Sequence, residues 1–252
     1  MSLPRTVLVT GANRGLGRSA ATALAARGHR VVVGHRPSSS PAETLADITA
    51  AGGQGMPLAI DIADTAGLSA AASALRRVLA DAWATDRLDV LVNNAGVGVF
   101  GSLDQVTTED FDRQVGTVLR GTFFAMQSLV PLMGAGGLVI NVSSSLTRHS
   151  SPGTSVYTAA KAGVEALGRS LALELGPRGI RVIALAPGPT ETDFNGGAMR
   201  DDADLRAVLA SSTALGRVGR PSDIAGAIAA LVGDDFRWVT GERIEVSGGA
   251  FL

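Results

Sequence analysis

"TVLVTGANRGLGRSAATALAARG", residues 6 to 28, decides how the rest of the chain is read. A short run rich in β-branched side chains is followed by glycines at 11, 15 and 17, then by an alanine-rich stretch with apolar positions at helical spacing. A strand, a tight turn and a helix follow from that order. Glycine has no Cβ, so a turn built on three of them lets backbone N–H groups approach a ligand, and the start of the next helix adds a positive dipole end. That combination suits a pyrophosphate. With 32 glycines in 252 residues a plain tight turn can carry the same spacing. The position between a first strand and a first helix favours a dinucleotide site.

Outward from this unit the rhythm repeats. The runs "RVVVGH" 30–35, "MPLAI" 56–60, "LDVLV" 88–92, "GLVINV" 137–142, "IRVIALA" 180–186 and "ERIEV" 242–246 read as further strands. Between them lie helical patterns near 16–27, 41–51, 65–84, 108–133, 156–176 and 223–232. Strands apolar on both faces need cover on both sides, which right-handed helical crossovers supply. The expected fold is α/β, a single doubly wound, Rossmann-type domain over residues 1–252 with a seven-stranded parallel sheet and helices on both faces. The densest break signal, "HRPSSSP" at 35–41, is only a loop long. Ligands of such sheets bind beyond the carboxyl ends of the strands, so function is sought just after each one.

Composition narrows the classes. There are 22 basic and 23 acidic residues, with no arginine stripe, so no nucleic-acid partner is expected. "MSLPRT" lacks a charged flank followed by an apolar run, and the greasiest region, 118–142, is interrupted by Arg120, Gln127, Pro131 and four glycines. Neither a secretory signal nor a membrane span is expected. The absence of cysteine excludes disulfides and thiolate metal sites and fits a cytoplasmic protein. His29, His35 and His149 share no ligand-like spacing, so no metal is expected.

The end of the second strand bears on which dinucleotide binds. An acidic residue there would accept from ribose hydroxyls and repel a 2′-phosphate, but His35 and Arg36 occupy the place. Arg36, with Arg14 from the glycine turn, suits a dianionic phosphate, so NADPH is expected over NADH.

"SVYTAAKAG", residues 155 to 163, holds the only tyrosine and the only lysine; the other 21 of the 22 basic residues are arginine. A phenol titrates near pH 10, too high for easy proton exchange at neutrality. Side chains at i and i+4 of a helix face the same way, so Lys161 can sit beside Tyr157 and favour its phenolate. Tyr157 then suits proton donation to a carbonyl oxygen during hydride delivery, or proton removal in reverse. "NVSSS", ending the fifth strand, offers Ser143, Ser144 or Ser145 to hold that oxygen.

Together these segments resemble the short-chain dehydrogenase/reductase family, along essentially the whole chain. "TGANRGLG" is similar to the family's cofactor turn, which implies cofactor contacts from Gly11, Asn13, Arg14, Gly15, Leu16 and Gly17. "DI" at 61–62 resembles its adenine-contacting pair, Asp61 and Ile62. "NNAG" at 93–96 implies that Asn93 and Gly96 line the cofactor cleft. "PGPTET" at 187–192 resembles the nicotinamide-side segment, with Pro187, Gly188, Thr190 and Thr192. Among the three serines the family spacing selects Ser144, which completes a catalytic group with Tyr157 and Lys161. Lys161 would also hold the nicotinamide ribose. One departure matters: where the family carries an Asn that holds a relay water, this chain has Val118.

Substrate choice falls to the loops after strands four, five and six, 97–105, 145–156 and 189–217, the last read as a lid. Val97, Val99, Phe100, Leu146, Phe194 and Met199 are candidates for an apolar pocket. No fixed cation for a carboxylate is evident, which points to a neutral ketone or a carrier-bound 3-oxoacyl group. The resemblance further implies a homotetramer formed through the helices at 108–133 and 156–176. The alternative reading is a cofactor-binding sensor or scaffold with weak catalysis.

Overall fold

The computed structural model describes residues 3–252. Its strands are β1 (Thr6–Val9), β2 (Arg30–His35), β3 (Gln54–Ala59), β4 (Leu88–Asn93), β5 (Met133–Val142), β6 (Arg181–Pro187) and β7 (Arg243–Val246). All pair in parallel in one sheet, in the order β3-β2-β1-β4-β5-β6-β7. The expected seven-stranded, doubly wound sheet is therefore present. The chain reverses direction across the sheet between β1 and β4, which opens a crevice at their carboxyl ends.

The helices are α1 (Gly15–Ala26), α2 (Ala42–Ala50), α3 (Leu68–Trp83), α4 (Thr108–Val115), α5 (Gly121–Leu129), α6 (Ser155–Leu175), α7 (Ala198–Asp201), α8 (Ala203–Ser211) and α9 (Pro221–Val232). Local chemistry fixes several ends. Thr107 caps α4 by accepting from the Asp110 N–H at 3.1 Å. Pro221 opens α9 where its missing N–H has no partner to lose, and the Asp223 carboxylate accepts from the Arg220 N–H at 2.7 Å.

Because strand side chains alternate, each buried strand serves two cores. Val7 and Val9 face a layer with Leu24 of α1 and Ile228 and Val232 of α9. Leu8 faces the opposite layer with Leu75 and Leu79 of α3 and Met126 and Leu129 of α5. Leu8 is wholly buried, and trimming it to alanine costs about 2–5 kcal/mol.

The pattern at 108–133 is not one helix. A π-helical turn at Gly116–Arg120 separates α4 from α5, and a 3₁₀ turn at Val130–Leu132, with Pro131 inside, ends the segment. β5 accordingly starts at Met133, with an irregularity in its pairing to β4 before the regular register from Val90↔Leu138. The loop 189–217 holds α7 and α8 and is tied down at both ends, by Thr190 beside Gly219 and by Thr213 beside Ala250.

Candidate active site

The glycine turn is a cradle that a side chain would fill. Gly11 has φ +62° and Gly15 φ +55°, a region that L side chains rarely adopt. A Cβ on Gly17 would stand 2.4 Å from the Gly11 carbonyl oxygen and 2.5 Å from the Asn94 amide nitrogen. Asn94 in turn ties the turn to β4, its amide donating to the carbonyls of Thr10 at 2.9 Å and Gly11 at 3.2 Å. The N–H groups of Asn94 and Ala95 donate to the Thr10 hydroxyl. Arg14 stands before α1 without capping it by side chain, so its side chain takes up none of the first N–H groups of that helix.

At the end of β2, His35 Nδ1 lies 3.0 Å from the Arg36 carbonyl and 2.9 Å from that of Ser39. Both partners are acceptors only, so this nitrogen carries the proton. Among the described residues no protein group pairs with the guanidinium of Arg14 or Arg36, and both are exposed. Arg18 is different, because it is held by Glu43 and by Asp47 at 2.6 Å.

Other residues expected at the cofactor divide into surface and support. Gly96 is exposed after β4, and a Cβ on it would lie 3.9 Å from Lys161 Nζ. Asn93 is buried, and its amide donates to the Asn141 side-chain oxygen at 2.8 Å, joining β4 to β5. Asp61 accepts from the Ala63 N–H, while Ile62 is buried against the second core. Pro187 closes β6 opposite Val246, and a Cβ on Gly188 would strike the Ser247 backbone. Thr190 donates to the Gly188 carbonyl at 2.9 Å. Thr192 lies across from the turn, its Cβ 3.8 Å from where a Gly15 side chain would begin.

Tyr157 and Lys161 both lie in α6 and are both buried, as their spacing on one helical face requires. Lys161 Nζ donates to the Val142 carbonyl at 2.6 Å and stands 6.0 Å from the Tyr157 ring centre. Ser144 follows β5, and its hydroxyl accepts from the Leu146 N–H at 3.2 Å. Two phenylalanines from separate loops cover the phenol. Phe100 lies 5.1 Å and Phe194 6.0 Å from the Tyr157 ring, centre to centre, and 6.4 Å from each other at near right angles.

This cover changes the electrostatics expected from the Tyr/Lys spacing. Burial raises the Tyr157 phenol above its ordinary value, and the Ser144 hydroxyl beside it pulls only partly the other way. Burial also pushes Lys161 down to about 8, against the opposing charge of Glu165. The direction for the phenol is therefore upward, opposite to the lowering that the spacing suggested.

Val118 falls within the π-helical turn and is 1% exposed. It packs with Ala160, Val164, Val97 and Leu119, and its Cγ2 lies on the side of Gly96 that also faces Lys161. The surroundings of the ammonium are apolar on this side.

A buried ionic cluster backs the serine loop. Glu165 accepts from Ser143 Oγ at 2.5 Å, Thr147 Oγ1 at 2.8 Å and Arg243 Nε at 2.9 Å. Neither Glu165 nor Arg243 was singled out in the sequence. The available signal was that Glu165 stands four residues after Lys161 on the same face of α6.

A doubly wound sheet with a glycine cradle, and a serine, a tyrosine and a lysine gathered at its carboxyl edge, defines a dinucleotide-dependent oxidoreductase architecture. Residues 11–250 match the family described as enoyl-(acyl carrier protein) reductase. The chain belongs to the short-chain dehydrogenase/reductase family and is an oxidoreductase of it. It is 40% identical over 257 residues to an L-rhamnose 1-dehydrogenase (NAD(P)(+)) of Azotobacter vinelandii, covering 99% of this chain and 98% of the relative. It is 35% identical over 255 residues to the 3-oxoacyl-[acyl-carrier-protein] reductase FabG of Staphylococcus aureus, covering all of both. The crystal structure of the angucycline C-6 ketoreductase LanV with bound NADP matches with a TM-score of 0.92 at 35% identity, over 98% of this chain and 95% of that one. No helix among the described residues is long and apolar enough to cross a membrane.

Proposed function

We propose that this protein is an NADPH-dependent ketoreductase that converts a ketone to a secondary alcohol, with Tyr157 as its general acid. The observation that carries the reading is the convergence of Tyr157, Ser144 and Lys161 beside a cradle too tight for side chains. That cradle fits a pyrophosphate, and Arg14 and Arg36, without protein partners, suit a 2′-phosphate. A bound reduced nicotinamide would supply the hydride. The chain's own groups handle the oxygen. As the carbonyl carbon gains hydride, its π electrons pass to oxygen, where the Ser144 hydroxyl donates and the Tyr157 O–H transfers its proton. The phenolate left behind is stabilised by the Lys161 ammonium and reprotonated from solvent.

The raised phenol supports the reductive direction, because the acid form persists at neutral pH. Phe100 and Phe194 over the phenol favour a flat, apolar and uncharged ketone; a relative acts as an angucycline ketoreductase and another as a 3-oxoacyl reductase. Phe111 of α4 and Phe123 of α5 are exposed, which supports assembly of copies through these helices.

Val118 favours one second reading, a cofactor-binding sensor or scaffold with weak catalysis. NADPH oxidation with aryl ketones, diketones, quinones and 3-oxoacyl thioesters separates the two. Turnover of a ketone well above the rate without substrate supports the enzyme. Tight NADPH binding with no turnover of any carbonyl supports the sensor.

A further inference from the structure

The ionic cluster behind the serine loop ties three separate elements together. Glu165 belongs to α6, the helix that carries Tyr157 and Lys161, yet its buried carboxylate holds the residues on either side of Ser144. It takes the hydroxyl of Ser143 at 2.5 Å and that of Thr147 at 2.8 Å. Arg243, reaching over from β7, donates to Glu165 at 2.9 Å, to Thr147 Oγ1 at 3.2 Å and to the carbonyl of Ser144 itself at 3.2 Å. Its remaining arm pairs with Glu245. Hydrogen bonds to charged groups are the strong ones, and a carboxylate accepting three of them fixes its donors closely. The acid-bearing helix is therefore joined to the loop of the oxygen-holding serine by Glu165, and to the serine's own carbonyl through Arg243.

From this we infer that Glu165, with Arg243 behind it, is a positioning residue that sets the Ser144 hydroxyl against the Tyr157 phenol. The inference rests on the ketoreductase reading above. It is distinct from an ion pair that merely staples α6 to β7, because it acts through Ser144. Small misplacements of such a group cost rate without changing cofactor affinity.

A double-mutant cycle tests it, with NADPH oxidation measured on the best ketone of the panel in the parent, Glu165→Gln, Ser144→Ala and the double variant. Glu165→Gln is expected to lower kcat about tenfold in the parent and less than about twofold when Ser144 is already alanine, with KM for NADPH unchanged. Arg243→Lys, run through the same cycle, keeps a charge for Glu245 without the fork that reaches Ser144, and it serves if the glutamine variant melts early. A spectroscopic readout accompanies both. Tyr157 is the only tyrosine, so phenolate absorbance titrates it alone, and loss of the Ser144 contact should shift that titration upward. An equal fold-loss in both backgrounds, or an unchanged kcat in Glu165→Gln, overturns the inference. If Ser144→Ala alone is as fast as the parent, the reading of the site beneath it fails first and takes the inference with it.

Discussion

Raising the pH from 7 to 9 should lower the enzyme's kcat/KM about tenfold while leaving the fold intact. Lys161 is buried, and desolvation pushes its ammonium down to about 8 from 10.5. With that midpoint, about nine-tenths of the molecules carry the charge at pH 7 and about one-tenth at pH 9. A reaction that needs the ammonium beside the phenol therefore loses roughly tenfold in kcat/KM, the quantity that reports groups of the free enzyme. The Tyr157 phenol, raised above its ordinary value, adds no falling limb in this range. The stability effect of Lys161 has the opposite sign. Above about pH 8 the folded chain releases this proton, whereas the unfolded chain keeps it up to about 10.5. The unfolded state then binds more protons, so this group makes the fold more stable as pH rises through that window. Initial rates of NADPH oxidation at subsaturating ketone, paired with Tm at each pH, provide the assay. A kcat/KM that stays flat to pH 9.5, or one that falls only in step with Tm, refutes the reasoning.

Three further outcomes are expected. Val118→Asn, which puts a polar group into an apolar contact with Ala160 and Val164, should lower stability by about 1–3 kcal/mol yet keep or raise kcat; a large loss of kcat in the folded variant would show that the valine itself is needed. Replacing Arg14 and Arg36 together by alanine should weaken NADPH binding by about 10²- to 10⁴-fold, as expected for two charge-assisted bonds of roughly 1.5–3 kcal/mol each, and leave NADH binding nearly unchanged. Equal weakening of both cofactors, followed by nucleotide fluorescence, counts against a 2′-phosphate site. Phe100→Ala with Phe194→Ala should reduce kcat/KM for an aryl ketone about tenfold more than for an acyclic aliphatic ketone, since ring contacts are worth about 0.5–1.5 kcal/mol each. The same change for both ketones would remove the case for an aromatic-lined entrance.

The sheet was legible because its evidence is local. Val7, Leu8 and Val9 are apolar in succession as only a strand covered on both faces tolerates, and Gly11, Gly15 and Gly17 mark the turn by the space they leave. The tyrosine and lysine stood out because each is the only one in the chain and they are four residues apart. What was illegible depends on contacts between distant segments. The phenol is raised by burial, to which Phe100 and Phe194 come from two separate loops, and spacing on one helix reports nothing of that burial. The π-helical turn around Val118 keeps the same apolar pattern as an ordinary helix, so periodicity passes over it. Glu165 and Arg243 are 78 positions apart, and Asn94 anchors a turn 83 positions earlier. Asn93 lies in a motif that resemblance assigns to the cleft, yet sheet geometry turns its amide toward Asn141.

The most direct measurement is the single-turnover and steady-state rate of NADPH-driven ketone reduction by Tyr157→Phe, a variant that keeps the ring against Phe100 and removes only the hydroxyl. Loss of a general acid of this kind predicts a fall in rate of about 10²- to 10⁴-fold with NADPH affinity preserved. A phenylalanine enzyme that still reduces the ketone within a few-fold of the parent rate would contradict the assignment of the proton to Tyr157.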